Sequence, residues 1–477
     1  MFLAAFTSPL LAAATPPAHA AARVWMTIGT YEIRTDDLWI IATAICCAVA
    51  CGLVGCFLVL RRMSLLGDAI SHAILPGLAI AFLLTGSRDP LAMLAGALVV
   101  GVLTAFLSTG LHKLGRVPED AAMGVVFTTL FAIGVILVTV AARNIDLDPG
   151  CVLYGLIETT PFDTVSFLGL TLPRAFVWLA VVLLVNAGLI TLFYKELKIV
   201  CFDPYLATTM GISAVAVHYG LMTAVAATAV ASFESVGSIL VVAMLVAPGA
   251  TAQLLTDRLR SMLLVAALVA ALSAIVGYIF ALIFDTSVAG MIASAALVIF
   301  IAAALLAPRH GFFPRRTRQL RLSLRIVQED ILGLLFRWHE QVSAMPTTSA
   351  VPLSRADLLR ATRAGWLGTV AIALLTTQRH VLKVAGGGLV LSPDGQQTAA
   401  AVIRGHRLWE SFLARHFGVA ESRLHAMANR AEHYLGSGLQ ERLGKSLHAE
   451  SGPDASVQDP HGRSIPPSSP PSQPPSR

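Results

Sequence analysis

The chain has 477 residues, of which 56% are hydrophobic and only 13% charged, and its mean hydropathy is +0.74. That composition excludes an ordinary soluble domain and a disordered chain, and it points to a polytopic membrane protein. The formal net charge of +6 comes largely from loop and C-terminal cations. Membrane orientation explains it better than a nucleic-acid partner.

Residues 1–34 read as an N-terminal leader or periplasmic segment. Phe2 to Ala22 is apolar and Ala18-His19-Ala20 looks like a small-residue cleavage site, yet no Lys or Arg precedes the apolar part. Apolar stretches of about the 20 residues needed to cross a bilayer follow at 38–60, 64–85, 91–111, 119–142, 172–194, 211–231, 234–255, 262–284 and 287–307. These predict about nine spans; His218 and Tyr219 make 211–231 the least lipid-like, which leaves eight as the alternative. Arg61-Arg62, Lys113 with Arg116, Lys195 with Lys198, and Arg258 with Arg260 follow odd-numbered spans. The positive-inside rule then sets these loops and the C-terminus in the cytoplasm, with the N-terminus outside the inner (plasma) membrane. The basic run from Arg309 to Arg325 agrees. Cys46, Cys47, Cys51 and Cys56 crowd the first span too closely for a disulfide framework; buried apolar thiols and a thiolate metal site are both open readings.

Within the second span Asp68 and His72 stand four residues apart, on one helical face. Ionisable groups in lipid are costly and mark functional sites. Carboxylate with imidazole suits Mn, Fe or Zn, while an Asp–His hydrogen bond joining two helices is the structural alternative. Asp146 to Gly155 is too short to span and reads as an interfacial or re-entrant piece. Asp203 to Gly211 reads as a short cytoplasmic helix: Asp203 caps it, Pro204 fits its first turn, and Gly211 ends it. No Gly-x-x-x-x-Gly-Lys-Ser/Thr phosphate loop occurs, so the energy for any transport comes from another subunit or an ion gradient.

Four segments in this order, Met63–Gly77, Glu119–Phe127, Asp203–Gly211 and Val236–Pro248, give a stretch that resembles the membrane subunits of ABC importers for manganese, zinc and iron. The most specific piece is Gly67-Asp68-Ala69-Ile70-Ser71-His72-Ala73-Ile74-Leu75-Pro76-Gly77. The resemblance implies a permease domain over 35–307, with Asp68 and His72 on the metal path. It also implies that Asp203, Pro204, Tyr205, Leu206, Met210 and Gly211 belong to a helix that docks on a separate ABC ATPase. An extracytoplasmic metal-binding protein and a second permease copy, identical or related, complete the implied assembly. Gly237 and Pro248 flank the seventh predicted span and suit a helix that flexes, though both residues are ordinary in membrane helices.

After a basic linker, 308–324, residues 325–446 read as a mostly helical soluble unit. A helix at 325–342, two helices near 355–363 and 367–377, and apolar runs Val381–Val384 and Leu389–Leu391 across glycines make a winged-helix pattern over 325–396. In 397–446, His406 and Glu410 are i, i+4, and His425 with Glu432 or His433 recurs on the next helix. Converging metal ligands and a pair of solvated amphipathic helices both fit that spacing.

Leu391–Gly395, His406–Glu410 and Ala431–His433 are similar to the metal-binding and dimerisation region of diphtheria-toxin-repressor-like regulators. That resemblance implies His406, Glu432 and His433 as ligands, Glu410 and His425 as an ancillary site, and Asp330 as an acidic ligand of the manganese type. Two departures matter. Asn429 stands where that family has Cys or Glu, and the reading helix, Leu367–Leu375, is almost wholly apolar where DNA readout needs Arg, Lys, Asn or Gln. Residues 447–477, rich in Ser and Pro, are predicted to be disordered.

The fold class expected is therefore an all-α polytopic membrane protein of the ABC-3 permease type, with a winged-helix and metal-binding cytoplasmic part. The function expected is transport of Mn, Fe or Zn as substrate without catalysis or nucleotide binding by this chain, and with Mn or Fe as a regulatory ligand. A membrane-tethered transcriptional regulator that binds DNA and an ion-coupled secondary carrier are the alternatives.

Overall fold

The computed structural model describes residues 26–28, 31–86, 90–141, 157–167, 170–343, 352–384, 387–417, 421–451 and 458–467. The expectations for residues 1–23 and 146–155 lie outside them. The chain divides into two compact units, Met1–Pro314 and Arg315–Arg477.

The first unit is built on helices α1 (Thr35–Leu60), α2 (Leu66–Ala73), α3 (Leu75–Thr85), α4 (Pro90–Gly115), α5 (Glu119–Ala141), α6 (Arg174–Leu192), α7 (Tyr194–Phe202), α8 (Pro204–Thr209), α9 (Ala214–Val236), α10 (Ser238–Leu255), α11 (Leu259–Phe284) and α12 (Val288–Leu306). Two short antiparallel hairpins interrupt them: β1 (Met26–Ile28) with β2 (Tyr31–Ile33), and β3 (Thr164–Phe167) with β4 (Leu170–Pro173). The protein is thus mostly helical rather than strictly all-α.

Apolar side chains on all sides make α1 a buried helix, and it packs against α6, α9, α10 and α11. Its Cys47, Cys51, Val54, Phe57 and Leu58 share a core with Met222 and Val225 of α9 and Leu240, Met244 and Leu245 of α10. The crowded cysteines are free thiols. Close approach of α1 and α10 depends on Gly55, because a Cβ there would fall 1.8 Å from the carbonyl oxygen of Leu245. Polar ties fix other pairs. Tyr278 donates to Asp37 Oδ1 at 2.6 Å, joining α11 to α1, and Asn186 of α6 donates to Thr228 of α9 at 2.7 Å.

Among the described residues eight stretches are long and apolar enough to cross a membrane. The 211–231 segment is one of them, extended as α9 to Val236. Of the nine predicted spans the one that falls short is α10, whose apolar part is Leu240–Leu255. Gly237, at φ +78°, takes a backbone conformation that L side chains disfavour and ends α9 while starting α10. The boundary predicted at 234 thus moves by four residues to Ser238.

In the second unit α13 (Phe312–Ser343, beginning in the last residues of the first unit) is followed by β5 (Leu353–Ser354), α14 (Arg355–Thr362), α15 (Gly365–Thr377), β6 (Val381–Lys383), β7 (Gly388–Leu391), α16 (Pro393–Phe417), α17 (Glu421–Ala431), a short 3-10 turn at Glu432–Tyr434 and α18 (Ser437–Ser451). The sheet order is β5-β7-β6, antiparallel throughout, so the predicted hairpin is present. Ser354 and Ser392 cap α14 and α16 by accepting from the amides of Asp357 and Gly395. Ile331, Leu332 and Leu335 of α13 share a core with Leu358, Ile372, Leu375, Val381 and Leu389.

The expectation of disorder from residue 447 needs correction. α18 continues to Ser451, and residues 458–467 fold back with Ile465 packed against the Leu408, Leu435 and Leu443 core. Polar composition hid these contacts, since they are made by main-chain carbonyls, the Asp459 carboxylate and one isoleucine.

Candidate metal sites

In the membrane unit Asp68 and His72 lie on α2. Pro76, in the first turn of α3, has no N–H to return to the His72 carbonyl four residues earlier, and the predicted second span is accordingly split at Ile74. His72 Nε2 is 3.4 Å from Asp68 Oδ1, with the side chains 39% and 45% exposed. Phe127 and Phe131 of α5 flank the imidazole at ring separations of 6.2 and 6.0 Å. Among the described side chains no third imidazole, carboxylate or thiolate joins the pair.

The capped segment is a helix, α8. Asp203 Oδ1 accepts from the Leu206 amide at 3.0 Å and Gly211 follows at φ +83°. Tyr205, Leu206 and Met210 are all at least half exposed.

Two groups of metal-type side chains occur in the second unit among the described residues. The first gathers His406 and Glu410 from α16 with His425 from α17. His406 Nε2 is 3.2 Å from Glu410 Oε1 and 3.1 Å from His425 Nδ1, and His425 Nδ1 is 3.0 Å from Glu410 Oε1. The second gathers Asp330 of α13 with Glu432 and His433: His433 Nε2 lies 3.4 Å from Asp330 Oδ1 and 3.7 Å from Glu432 Oε1. Glu432 links the two, since its Oε2 is 2.5 Å from His406 Nδ1.

His406 and His433 are buried imidazoles held by carboxylates, whereas His425 is half exposed. Burial pulls His406 down, but the bonds to Glu410 and Glu432 outweigh it and raise its pKa. Burial likewise pushes Glu410 up, while His406 and His425 hold it at about 2. Asp330 and Glu329 raise His433 to about 10 against its burial. Without metal, the raised His406 and His433 supply the cations that their carboxylates require.

The donor sets suit a metal ion. Atoms bound to one ion at about 2.0–2.2 Å lie roughly 3.0–3.5 Å apart for right-angle to tetrahedral arrangements. The first group's separations of 3.0, 3.1 and 3.2 Å fall in that range. Imidazole and carboxylate without thiolate match borderline divalent ions.

All six side chains expected in this unit are brought together, but partitioned differently. His406 joins Glu410 and His425 through Nε2, and only its Nδ1 reaches Glu432, because the two ring nitrogens face opposite sides. Glu329 was not anticipated: it contacts His433 Nδ1 at 2.8 Å and is itself held by Arg325 at 2.8 Å. The i, i+4 spacing of Arg325 and Glu329 was its only signal. Also unanticipated is buried Arg407. It donates to Glu340 at 2.6 and 3.2 Å and to the Ser464 carbonyl at 2.7 Å, with Asp459 at 3.8 Å. Asn429 is exposed and brings no charge. On α15, Gly368, Ala371, Ile372 and Leu375 are buried, and Trp366, Val370 and Leu374 point outward.

A bundle of apolar helices enclosing a half-exposed acid–imidazole pair is the architecture of a multi-pass membrane permease rather than of a simple anchor. Comparison with known proteins makes the class specific: residues 38–307 match the ABC 3 transport family, and the chain belongs to it. It is the permease subunit of an ABC transporter, not a catalytic one. Residues 392–467 match the iron dependent repressor metal binding and dimerisation domain. The chain is 48% identical over 287 residues to the manganese transport system membrane protein MntD of Bacillus subtilis, covering 60% of this chain and 97% of that one. It is 43% identical over 364 residues to the zinc transport system membrane protein TroD of Treponema pallidum, covering 76% and 97%. Among solved structures, PsaBC from Streptococcus pneumoniae in complex with Fab matches at a TM-score of 0.50 and 32% identity, over 58% of this chain and 94% of that one.

Proposed function

We propose that this permease imports a divalent transition metal, manganese, zinc or iron, and that its C-terminal unit binds manganese or iron. The observation that carries the transport reading is the Asp68–His72 pair on a helix that ends at Ala73, just before Pro76. The break frees backbone beside two metal-type side chains, which suits a path along which an ion exchanges ligands. Other spans, a second protomer or water supply the remaining ligands.

The energy comes from a separate ATPase, which grips α8 through exposed Tyr205, Leu206 and Met210, while an extracytoplasmic protein delivers the metal. The N-terminus faces outward and the C-terminal unit is cytoplasmic, with the two-copy permease supported by the dimerisation domain. In the C-terminal unit His406, Glu410 and His425 hold one ion, and Asp330, Glu432 and His433 another; the bound ions crosslink α13, α16 and α17. DNA recognition is disfavoured by the apolar outer face of α15.

Uptake of each radioactive metal by cells carrying the full transporter tests the transport reading. Asp68→Asn and His72→Ala abolish uptake while the permease still copurifies with its ATPase. Normal uptake by both variants makes the pair a structural hydrogen bond.

A further inference from the structure

Helix α15 carries no charged residue from Gly365 to Thr377, and its inner side is already used: Gly368, Ala371, Ile372 and Leu375 are buried. The outer side is nearly as apolar as the inner one. Its exposed side chains are Trp366, Val370, Ala373, Leu374 and Thr377. At about 3.6 residues per turn they fall within an arc of about 100°, along a helix about 20 Å long. Trp366 is 66% exposed, and strand β6, which packs against α15, adds Leu382 at 45%. A contiguous apolar stripe on a folded unit marks a surface that something else covers.

The charge around the stripe indicates what covers it. Arg363 stands two residues before the helix and Arg379 two residues after it, both exposed, and exposed Lys383 lies on β6. Between Asp357 and Asp394 the sequence has no acidic residue, and Asp357 itself is engaged by Arg360 at 2.9 Å. Tryptophan and aliphatic side chains bracketed by cations, with no carboxylate among them, match the boundary layer of an anionic bilayer. There the apolar groups enter beneath the headgroups while guanidinium and ammonium meet lipid phosphate. The same polypeptide spans a membrane, so the encounter is intramolecular and favoured by a high effective concentration. A nucleic acid would meet the same cations, but Trp366, Val370 and Leu374 offer its bases neither donor nor acceptor.

We propose that the outward face of α15 docks the C-terminal unit on anionic phospholipid. The inference needs only the membrane membership of the chain and stands apart from both metal readings. Trp366 is the apolar anchor, and Arg363, Arg379 and Lys383 supply the preference for negative headgroups.

The test uses the full chain reconstituted in nanodiscs of phosphatidylcholine alone or of an equimolar mixture with phosphatidylglycerol. Hydrogen exchange is followed on peptides from α15 and, as a control for folding, on peptides from α13 and α16. Both leaflets of a disc carry the same lipid, so the outcome is independent of the side on which the unit lies. Anionic discs should slow exchange of α15 at least about fivefold relative to neutral discs, and high salt should remove the difference. Two variants at exposed positions separate the contributions: Trp366→Gln with Leu374→Gln, and Arg363→Gln with Arg379→Gln and Lys383→Gln. Each should bring the difference below about twofold, with α13 and α16 protected as in the unaltered chain. Equal exchange of α15 in the two kinds of disc overturns the inference, and so does a difference that either variant retains in full. The same protection in detergent, where no bilayer is present, means that a second copy or another part of the chain covers the face, and it too overturns the inference. Protection of α15 by duplex DNA in neutral discs makes the face a nucleic-acid surface instead.

Discussion

Replacing Arg407 by Met tests how the C-terminal unit is held together. The side chain is 4% exposed and bridges Glu340 on α13 to the returning segment at Asp459 and Ser464. Arg407→Met keeps the apolar stem but removes both bonds to Glu340 and the bond to the Ser464 carbonyl. Deleting one partner of a buried pair costs about 3–5 kcal/mol. Two features reduce that here. Glu340 is 39% exposed, so water restores part of its solvation, and Asp459 Oδ1 still accepts from the amides of His461 and Arg463 at 3.0 and 2.7 Å. The expected loss is about 2–3 kcal/mol, or roughly 4–12 °C in Tm for a unit of this size. Circular dichroism melts of the compact unit Arg315–Arg477 measure it, and a cycle with Glu340→Gln isolates the pair. A Tm change under about 2 °C, or additivity of the two changes within about 0.5 kcal/mol, refutes the assignment of Arg407 as the joint.

Three further predictions follow the same reasoning. Gly55→Val drives its branched side chain into the Leu245 carbonyl, so α1 and α10 must separate; the yield of folded permease in detergent should fall severalfold, and an unchanged yield and melting profile contradicts the close packing. Leu206→Glu or Met210→Glu on α8 should uncouple ATP hydrolysis from uptake, while labelling of Tyr205→Cys from outside intact cells would reverse the topology. The C-terminal unit should bind manganese or iron weakly, at about micromolar affinity or looser, because Asn429 adds no charge. His433→Ala should weaken binding further, and calorimetry with equal heats for both proteins rules the second group out.

Much of the architecture was legible because its causes are local. Hydropathy over about 20 residues marks a span, so the membrane domain could be read without tertiary information. Asp203, Pro204 and Gly211 defined α8 through a cap, a fixed φ and a positive φ, each acting within a few residues. Glycines between apolar runs marked the β6–β7 hairpin. The residue types of the metal groups were equally readable, because imidazoles and carboxylates recur at helical spacing in α16 and α17.

Tertiary packing decided what those types do together. Glu329 meets His433 across 104 residues and Glu340 meets Arg407 across 67, and no local periodicity encodes such pairings. His406 touches both groups only because Glu410 and His425 face its Nε2 while Glu432 of the 3-10 turn faces Nδ1 on the opposite side of the ring. Residues 458–467 are held by backbone carbonyls, by Asp459 beside Arg407 and by the apolar contact of Ile465, which composition does not register. Gly237 moved a span boundary because a left-handed residue breaks a helix wherever packing needs the turn, even inside an apolar run. Spans, caps and ligand chemistry follow from short-range forces, whereas the partition of the candidate ligands and the Arg407 joint depend on which distant surfaces burial brings together.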